Sequence, residues 1–113
     1  MLYELRIYEI APNKMPAIVN RFVNTTLEYF KKHDIKPVLF LEPVVGVSNQ
    51  LTYLVKWDSL AQREKCWNEF QSDPGWQAAR VESERDGAIV VRFTNSIQKE
   101  VPAIAGKMKE LGF

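Results

Sequence analysis

Aromatic and basic side chains are the residues of this sequence best suited to do chemistry, and several of them fall close together. Four large aromatic residues could line a pocket for a flat organic ligand: Tyr53, Trp57, Trp67 and Trp76. Arg63 stands one helical turn before Trp67, and Arg80 stands one turn after Trp76. Asn49 falls on a loop before Tyr53. Arginine beside aromatic rings could hold a carboxylate or an enolate oxygen. The alternative is that these rings only fill the core, as large aromatic residues commonly do.

His33 is the only histidine of the chain, which excludes metal sites and acid–base pairs built from two histidines. It could relay a proton or serve as a single axial haem ligand. Alternatively it only ends a helix, where Lys31 and Lys32 also place positive charge near the carbonyl end of the dipole. Cys66 falls in the middle of a helix, which favours a packed and unreactive thiol. No metal site and no cofactor are predicted.

Composition and charge exclude several classes of function. The chain has 113 residues, of which 46% are hydrophobic and 26% charged, as is ordinary for one globular domain. Its net charge of +1 comes from interspersed charges, so we predict neither a nucleic-acid partner nor a membrane partner. The single cysteine and the lack of a signal-peptide pattern predict a cytoplasmic protein. Neither a glycine-flanked serine nucleophile nor a phosphate-binding glycine loop is present.

These residues are positioned by elements in the order strand, helix, strand, strand, helix, strand. The predicted strands run from Leu2 to Ile10, Pro37 to Glu42, Leu51 to Trp57 and Ala88 to Thr94. Asn13 is a candidate N-cap of the first helix, whose inner face is defined by three- and four-residue steps: Met15, Ile18, Val19, Phe22, Val23, Thr26, Leu27 and Phe30. Ser59 and Asp73 stand in N-cap contexts and begin two further helices. The order predicts an α+β fold, a ferredoxin-like βαββαβ sandwich with the first and third strands central.

Both faces of this sheet are rich in apolar residues, which favours a second copy of the chain as a partner. Alternate residues of the first strand form two sets: Tyr3, Leu5 and Ile7 on one face, and Leu2, Glu4, Arg6 and Tyr8 on the other. The helices of the fold cover one face only, and stacking two sheets in a dimeric α/β barrel would remove the other face from water. We interpret Glu4 and Arg6 as a matched pair of charges in that dimer interface. The alternative is a solvated cross-strand pair on a monomer.

A series of short motifs runs along most of the chain in a specific order. The motifs are Tyr3-Glu4-Leu5-Arg6-Ile7-Tyr8, Lys32-His33, Asn49-Gln50, Trp57-Asp58-Ser59-Leu60-Ala61-Gln62-Arg63 and Asp73-Pro74-Gly75-Trp76. In their order and spacing they resemble the NIPSNAP family of the dimeric α/β-barrel superfamily. The resemblance covers residues 1–96, which we predict to be one NIPSNAP-like domain. Residues 97–113 match no pattern of the family and are predicted to form a C-terminal extension.

The resemblance implies a homodimer of ferredoxin-like protomers. The wider superfamily includes cofactor-independent monooxygenases, isomerases and haem-binding enzymes, whereas the NIPSNAP branch has no settled activity. By this analogy Tyr8 or Tyr53 would hydrogen-bond a substrate enolate. Arg63 would stabilise the enolate charge, and His33 would relay the proton. We therefore predict a small aromatic or enolisable ligand, with these catalytic residues: His33, Arg63 and Tyr53. The predicted ligand-binding residues are Tyr8, Asn49, Trp57, Trp67, Trp76 and Arg80. The alternative is a non-catalytic interaction or stress-related module with a closed cavity.

Overall fold

The structure is a computed structural model that describes all residues, Met1 to Phe113. Four strands form one sheet: β1 (Leu2–Ile10), β2 (Lys36–Leu41), β3 (Gln50–Trp57) and β4 (Val90–Lys99). Five α-helices and one π-helical segment accompany the sheet: α1 (Met15–Arg21), the π segment (Phe22–Thr26), α2 (Leu27–Lys32), α3 (Leu60–Gln71), α4 (Pro74–Ser83) and α5 (Pro102–Glu110). None of these helices combines the length and the apolar character that crossing a membrane requires.

The sheet has the strand order β2-β3-β1-β4 with antiparallel neighbours throughout. The prediction of a ferredoxin-like α+β fold with β1 and β3 central is therefore confirmed. Residues directly opposite one another in an antiparallel pair share a face. The face that carries Val55 packs against the helices in a single core, which includes Phe22, Phe30 and Phe70.

The opposite face of the sheet, here named the open face, is not covered by α1 to α4. It carries a group of apolar side chains, with polar residues of β3 and β4 beside them. The apolar ones are Tyr3, Leu5, Ile7, Leu39, Leu41 and Leu54, and the polar ones include Thr52, Lys56, Thr94, Ser96 and Gln98. Leu54 lies directly opposite Leu5 on one side and Leu39 on the other, so three leucines form a row across the sheet. Leu41 at the edge of this face is 56% exposed.

The first helical region runs without a break from Met15 to Lys32, but its middle turn is the π segment. A π turn is wider than an α turn, so residues four apart stay on one line instead of drifting around the helix. That line is the buried one: Ile18, Phe22, Thr26 and Phe30. The prediction that Val19, Val23 and Leu27 also face inward is wrong, because they are 45%, 63% and 36% exposed. Asn13 is likewise not the N-cap, which is Lys14.

The two later helix starts follow local sequence. Ser59 Oγ accepts the backbone N–H of Gln62 at 3.1 Å at the start of α3. Asp73 Oδ1 accepts the backbone N–H of Gly75 at 2.9 Å at the start of α4. Both predicted N-caps are confirmed, because a side-chain oxygen supplies an acceptor that the first turn of a helix lacks.

The C-terminal part of the chain contains more regular structure than the sequence predicts. β4 runs to Lys99 instead of ending at Thr94, because its pairing with β1 continues until Lys99 lies opposite Leu2. The strand thus crosses the predicted division between residues 96 and 97. The helix α5 follows, and none of its residues is buried.

Candidate functional site

Glu4 and Arg6 lie inside the protomer, on the face of the sheet that the protomer's own helices cover. Their side chains are 0% and 4% exposed, and Arg6 Nη1 donates to Glu4 Oε2 at 2.8 Å. The interpretation of this pair as part of a dimer interface is therefore wrong, and so is the alternative of a solvated pair. The period-two pattern separates the two faces correctly, but it does not say which face the helices will cover.

The Glu4 carboxylate is the centre of a buried hydrogen-bond network. Five hydrogen bonds from four side chains reach its two oxygens. Oε1 accepts from Trp57 Nε1 at 3.1 Å and from Arg63 Nε at 2.7 Å. Oε2 accepts from Arg6 Nη1 at 2.8 Å, Arg63 Nη2 at 3.0 Å and Asn95 Nδ2 at 2.9 Å. One carboxylate thus neutralises part of the charge of two arginines and has no capacity left for a ligand.

The pKa of Glu4 reflects this network and makes folding sensitive to acid. Burial alone raises the pKa of the carboxyl, but the hydrogen bonds from Arg63 and Asn95 and the charge of Arg6 outweigh it. The pKa falls from 4.5 to about 2. Because the folded-state pKa is the lower one, the stabilisation is complete above pH 4.5 and is lost as the pH falls toward 2. We expect about 3 kcal/mol of unfolding free energy to disappear over this range. Urea unfolding at fixed protein concentration between pH 5 and pH 2 measures it.

Asp73 adds a second contribution to the same acid transition. Hydrogen bonds from Lys32 and His33 hold the pKa of its carboxyl well below the ordinary value. The control for the prediction is therefore a pair of variants. Glu4→Gln should flatten the pH dependence most, and Asp73→Asn should flatten it in part. An unchanged slope in Glu4→Gln would contradict the assignment of the network to acid stability.

Arg6, Tyr53 and Tyr8 form a chain of hydrogen bonds, in which either tyrosine hydroxyl can donate to the other. Arg6 Nε donates to the Tyr53 hydroxyl at 2.8 Å, and the Tyr53 and Tyr8 hydroxyl oxygens are 2.7 Å apart. Burial raises the pKa of Tyr53 well above 10, so its hydroxyl keeps its proton. Since Tyr53 already accepts from Arg6, its own O–H is available to donate to Tyr8. The O–H of Tyr8 then remains free to donate to another group.

Tyr8 forms part of the wall of a cavity of about 550 Å³ between the helices and the sheet. The aromatic residues of its lining are Tyr8, Phe22, Phe30, Trp67, Phe70, Trp76 and Phe93. Five arginines also line it: Arg6, Arg21, Arg63, Arg80 and Arg92. The cavity opens beside the edge strand β4, where Phe93 is 52% exposed. Its volume is in the range of small-molecule sites.

Positive charge is in excess around this cavity. Arg6 and Arg63 share Glu4, and the remaining ion pairs of the lining arginines are Arg21–Glu84 at 3.2 Å and Arg92–Glu9 at 2.7 Å. Arg80 forms no ion pair. Five arginines therefore face three glutamates, and Glu84 is the only carboxylate in the lining itself. Such a cavity favours an anionic or electron-rich ligand.

Two buried N–H groups on residues of the cavity lining have no hydrogen-bond acceptor: Arg21 Nε and Trp76 Nε1. An unsatisfied buried donor costs about 1–3 kcal/mol, and both nitrogen atoms are buried away from the open space of the cavity. Arg21 ends α1, three residues after the buried Ile18, and the π segment follows it. Helical segments of this kind occur frequently at functional sites.

The structure brings five of the predicted site residues together in the cavity lining: Tyr8, Arg63, Trp67, Trp76 and Arg80. Tyr53 and Trp57 are completely buried behind this lining and contact it through hydrogen bonds to Arg6, Tyr8 and Glu4. Asn49 instead lines a second cavity at the C-terminal end of β1, beside Glu9 and Arg92. Its main-chain oxygen accepts the N–H of Ile10 at 2.7 Å.

His33 is not among the residues that line the main cavity. Its Nε2 lies 2.7 Å from Asp73 Oδ2, which also accepts from Lys32 Nζ at 2.8 Å. His33 packs behind Phe70, with 6.2 Å between the ring centroids. Because Asp73 caps α4, this contact ties the end of α2 to the start of α4. This placement outside the cavity lining gives no support to a proton relay by His33. The catalytic role of His33 stays a prediction.

Sequence reasoning missed four polar residues of the site: Glu4 and Arg6, which it assigned to an interface, and Arg21 and Asn95, which it did not single out. Arg6 could have been found from its alternation with Tyr8, which places both side chains on the same face. Arg21 could have been found from its helical spacing, because it lies three residues after the buried Ile18 in α1. Asn95 lies beyond the predicted end of its strand. No group of His, Cys, Asp or Glu side chains in the structure could hold a metal ion.

Comparisons with known proteins agree on the family and the fold. The NIPSNAP family model matches residues 3–103. A NIPSNAP family protein of unknown function from Agrobacterium tumefaciens is 24% identical, with a TM-score of 0.78 and coverage of 88% of this chain and 87% of that one. An uncharacterised NIPSNAP-like domain protein from Burkholderia xenovorans is 20% identical, with a TM-score of 0.79 and coverage of 88% and 84%. A dimeric ferredoxin-like protein from an uncultured marine organism is 12% identical, with a TM-score of 0.59 and coverage of 88% and 93%. No curated protein matches the chain.

Proposed function

The chain belongs to the NIPSNAP family, and we propose that it is a homodimer whose cavity binds a small planar molecule with an enolisable carbonyl group. The observation that carries this proposal is the Tyr8 hydroxyl, which lies in an aromatic cavity and is 2.7 Å from the Tyr53 hydroxyl. Arg6 donates to Tyr53, which leaves the Tyr53 O–H to donate to Tyr8 and the Tyr8 O–H to donate to a ligand. Trp67 and Phe70 provide ring faces for a flat ligand, with 5.3 Å between their centroids.

A polarised hydroxyl donor can stabilise the negative charge that develops on a carbonyl oxygen during enolisation. Donors of this kind act strongly in a site with little water, because they are already oriented before charge develops. The guanidinium of Arg6 also lines the cavity, and its Nη2 donates to the Tyr8 hydroxyl at 3.5 Å, which adds positive charge beside this donor. This arrangement suits an enolate or a phenolate oxygen. It supports the proposal that the protein binds a ligand and promotes enolate chemistry.

Proton acceptors are scarce in this cavity, which limits the class of substrate. Glu4 is saturated by its five donors, and Glu84 is paired with Arg21. The substrate must therefore carry a C–H or O–H group that is acidic enough to ionise to water, as quinols and anthrone-like compounds do. The resulting carbanion would either regain a proton at another carbon, which is isomerisation, or react with dioxygen. In the second case the carbanion, dioxygen and a proton give a hydroperoxide, which loses water and leaves a carbonyl group with one of the two oxygen atoms, as in cofactor-independent monooxygenation.

The homodimer is proposed from the open face and from the extended shape of the protomer. A row of three leucines crosses the open face, and burying such a row needs a second surface. The radius of gyration is 15.8 Å, against about 13 Å for a compact chain of this length. Isologous packing of two open faces would cover the leucines of both copies. Light scattering would then report about twice the 13.1 kDa mass of one chain.

The substitution Tyr8→Phe tests the role of the hydroxyl donor. We expect it to weaken binding of 2-acetylnaphthalene about tenfold, because the carbonyl oxygen of this probe loses one hydrogen bond. Binding of 2-ethylnaphthalene, which has nearly the same shape and no carbonyl, should not change. Fluorescence titration measures both affinities, and Tyr29→Phe, at a tyrosine outside the cavity lining, is the matched control. An equal loss for both probes would show that Tyr8 only packs against the ligand.

A second candidate function, an interaction module, is favoured by the exposed apolar side chains of α5. Ile104 and Met108 are 60% and 48% exposed, and the helix has no buried residue. Native mass spectrometry of the protein purified from its own host separates the two candidates. A dimer with a discrete small-molecule adduct supports the ligand-binding function. A bare dimer favours the interaction module, and a bare monomer contradicts the homodimer.

A further inference from the structure

We infer that the loop between β2 and β3 of one copy docks on the helix α5 of a second copy, in an apolar groove at the end of the open face. The loop comprises residues 42–49 and is here named the valine loop, because it carries Val44, Val45 and Val47. The inference deepens the proposed homodimer and rests on it, because the valine loop reaches the groove only where two open faces stack.

The valine loop presents apolar side chains that its own chain leaves uncovered. Val44 and Val45 are 98% and 94% exposed, and Val47 is 69% exposed. A single exposed valine is ordinary, but three within four residues form a contiguous apolar patch, which is typical of a contact surface. Val47 lines the second cavity together with Ile7 and Thr94, which lie opposite each other on the open face. The valine loop therefore borders the open face at the C-terminal end of β1.

An apolar groove lies at the opposite end of the same face. It has a volume of about 510 Å³ and lies between α5 and the open-face residue Tyr3, whose hydroxyl donates to Glu100 Oε1 at 2.8 Å. The apolar side chains from the C-terminal part of the chain that line it are Val101, Ile104, Ala105, Met108 and Phe113. No residue of α5 is buried, so nothing in the same chain fills this groove.

The valine loop and the groove of one chain cannot meet. The strand β3 separates them, and its eight residues span about 25 Å. In a symmetric pair whose stacked sheets run antiparallel, however, the loop end of each copy lies over the α5 end of the other. Both grooves are then filled by both loops. Stacked sheets stay within about 30° of alignment, so the ends of the two sheets remain close.

The leucine row of the open face needs such additional contacts. A stable interface buries about 800 Å² on each partner. Polar side chains such as Lys56 and Gln98 lie beside the row, which limits the apolar area that the strands themselves provide. Docking of the valine loop in the groove adds apolar contact at both ends of the row.

One pair of opposite charges favours the same occupant. Glu42 is the only charged residue of the valine loop, and Lys109 belongs to the lining of the groove. Neither forms an ion pair within its own chain, whereas Lys107 of the same helix pairs with Glu110 at 3.2 Å. Docking brings the carboxylate of one copy to the ammonium group of the other, and the two-fold symmetry makes this contact twice.

The test is a disulfide between the valine loop and the groove, in a full-length Cys66→Ala background that has no native thiol. Val45→Cys and Ile104→Cys are combined in one chain, which is oxidised mildly and analysed by non-reducing gel electrophoresis and mass spectrometry. A disulfide needs Cα atoms within about 7 Å, a separation that these positions cannot reach within one chain. We expect most of the protein to become a covalent dimer with twice the 13.1 kDa chain mass.

The matched control combines Val45→Cys with Val81→Cys. Val81 is 67% exposed and lies on α4, on the helical side of the molecule, so its thiol is as accessible as that at position 104. This pair should give about tenfold less covalent dimer, because the docked loop lies far from α4.

An exchange of charges gives a second readout. Glu42→Lys and Lys109→Glu should each weaken dimerisation about fivefold in analytical ultracentrifugation, because each variant loses the contact at two places in the dimer. The double variant should recover the dissociation constant of the wild-type protein. A double variant that is weaker than both single variants would place the two groups apart and overturn the docking.

Light scattering on the wild-type protein and on the reduced cysteine variant separates the inference from the homodimer. A dimer that forms no cross-link overturns the inference and leaves the homodimer intact. Equally fast cross-linking by Val45→Cys alone, or by Ile104→Cys alone, places like segments against each other and also overturns it. A wild-type monomer overturns the inference together with the homodimer.

Discussion

Replacing Glu4 with glutamine is expected to reduce the free energy of unfolding by about 3–5 kcal/mol, which is the usual cost of removing one partner of a buried ion pair. The side chain is 0% exposed, and its carboxylate is the acceptor for Trp57, Arg6, Arg63 and Asn95. Glutamine cannot balance the charge of Arg6, whose side chain is only 4% exposed. Its amide nitrogen would also face donors of Arg63 or Asn95. Urea unfolding followed by circular dichroism measures the loss.

The same strand supplies the matched control. Glu9 accepts from Arg92 Nε at 2.7 Å, but the two side chains are 52% and 79% exposed. Exposed pairs of this kind contribute about 0–1 kcal/mol, since water replaces either partner. Glu9→Gln should therefore leave the unfolding midpoint almost unchanged. A similar loss in the two variants would mean that Glu4 contributes no more than a surface charge, and it would contradict the buried network as the source of stability.

Replacing Leu54 with lysine is expected to convert the proposed homodimer into a monomer. Leu54 is the middle residue of the leucine row, with Leu5 and Leu39 directly opposite it. In an isologous interface the substitution would place a charge from each copy near the two-fold axis, where the two lysines would repel and lose their hydration. Size-exclusion chromatography with light scattering should show one 13.1 kDa species in place of the dimer at micromolar concentration.

Leu60→Lys is the control for the effect of an added surface charge. Leu60 begins α3 on the helical side of the molecule and is 60% exposed, so this variant should keep the mass of the wild-type protein. Circular dichroism should show that both variants remain folded. A folded Leu54→Lys variant that stays dimeric would exclude the open face as the interface and would direct attention to α5.

The sequence determined the order of the elements because that information is local. Alternating apolar residues predict β1, and the cap residues Ser59 and Asp73 predict where α3 and α4 begin. These patterns depend only on neighbours within one helical turn or one strand pair. The elements that they predict therefore do not depend on how the rest of the chain packs. They also identified Arg63, Trp67 and Trp76 as candidate site residues, because those side chains recur at helical spacing.

Tertiary structure decided what these patterns leave open. A strand has two faces of equal period, and only the packing of the helices assigned Glu4 and Arg6 to the interior. The π segment after Arg21 keeps Phe22, Thr26 and Phe30 on the buried line, and no sequence motif predicted it. His33 contacts Asp73, which is 40 residues away in the chain, and therefore lies outside the cavity lining. The placement of such side chains depends on contacts between residues that are far apart in the sequence. A charge is buried where other charged groups pair with it.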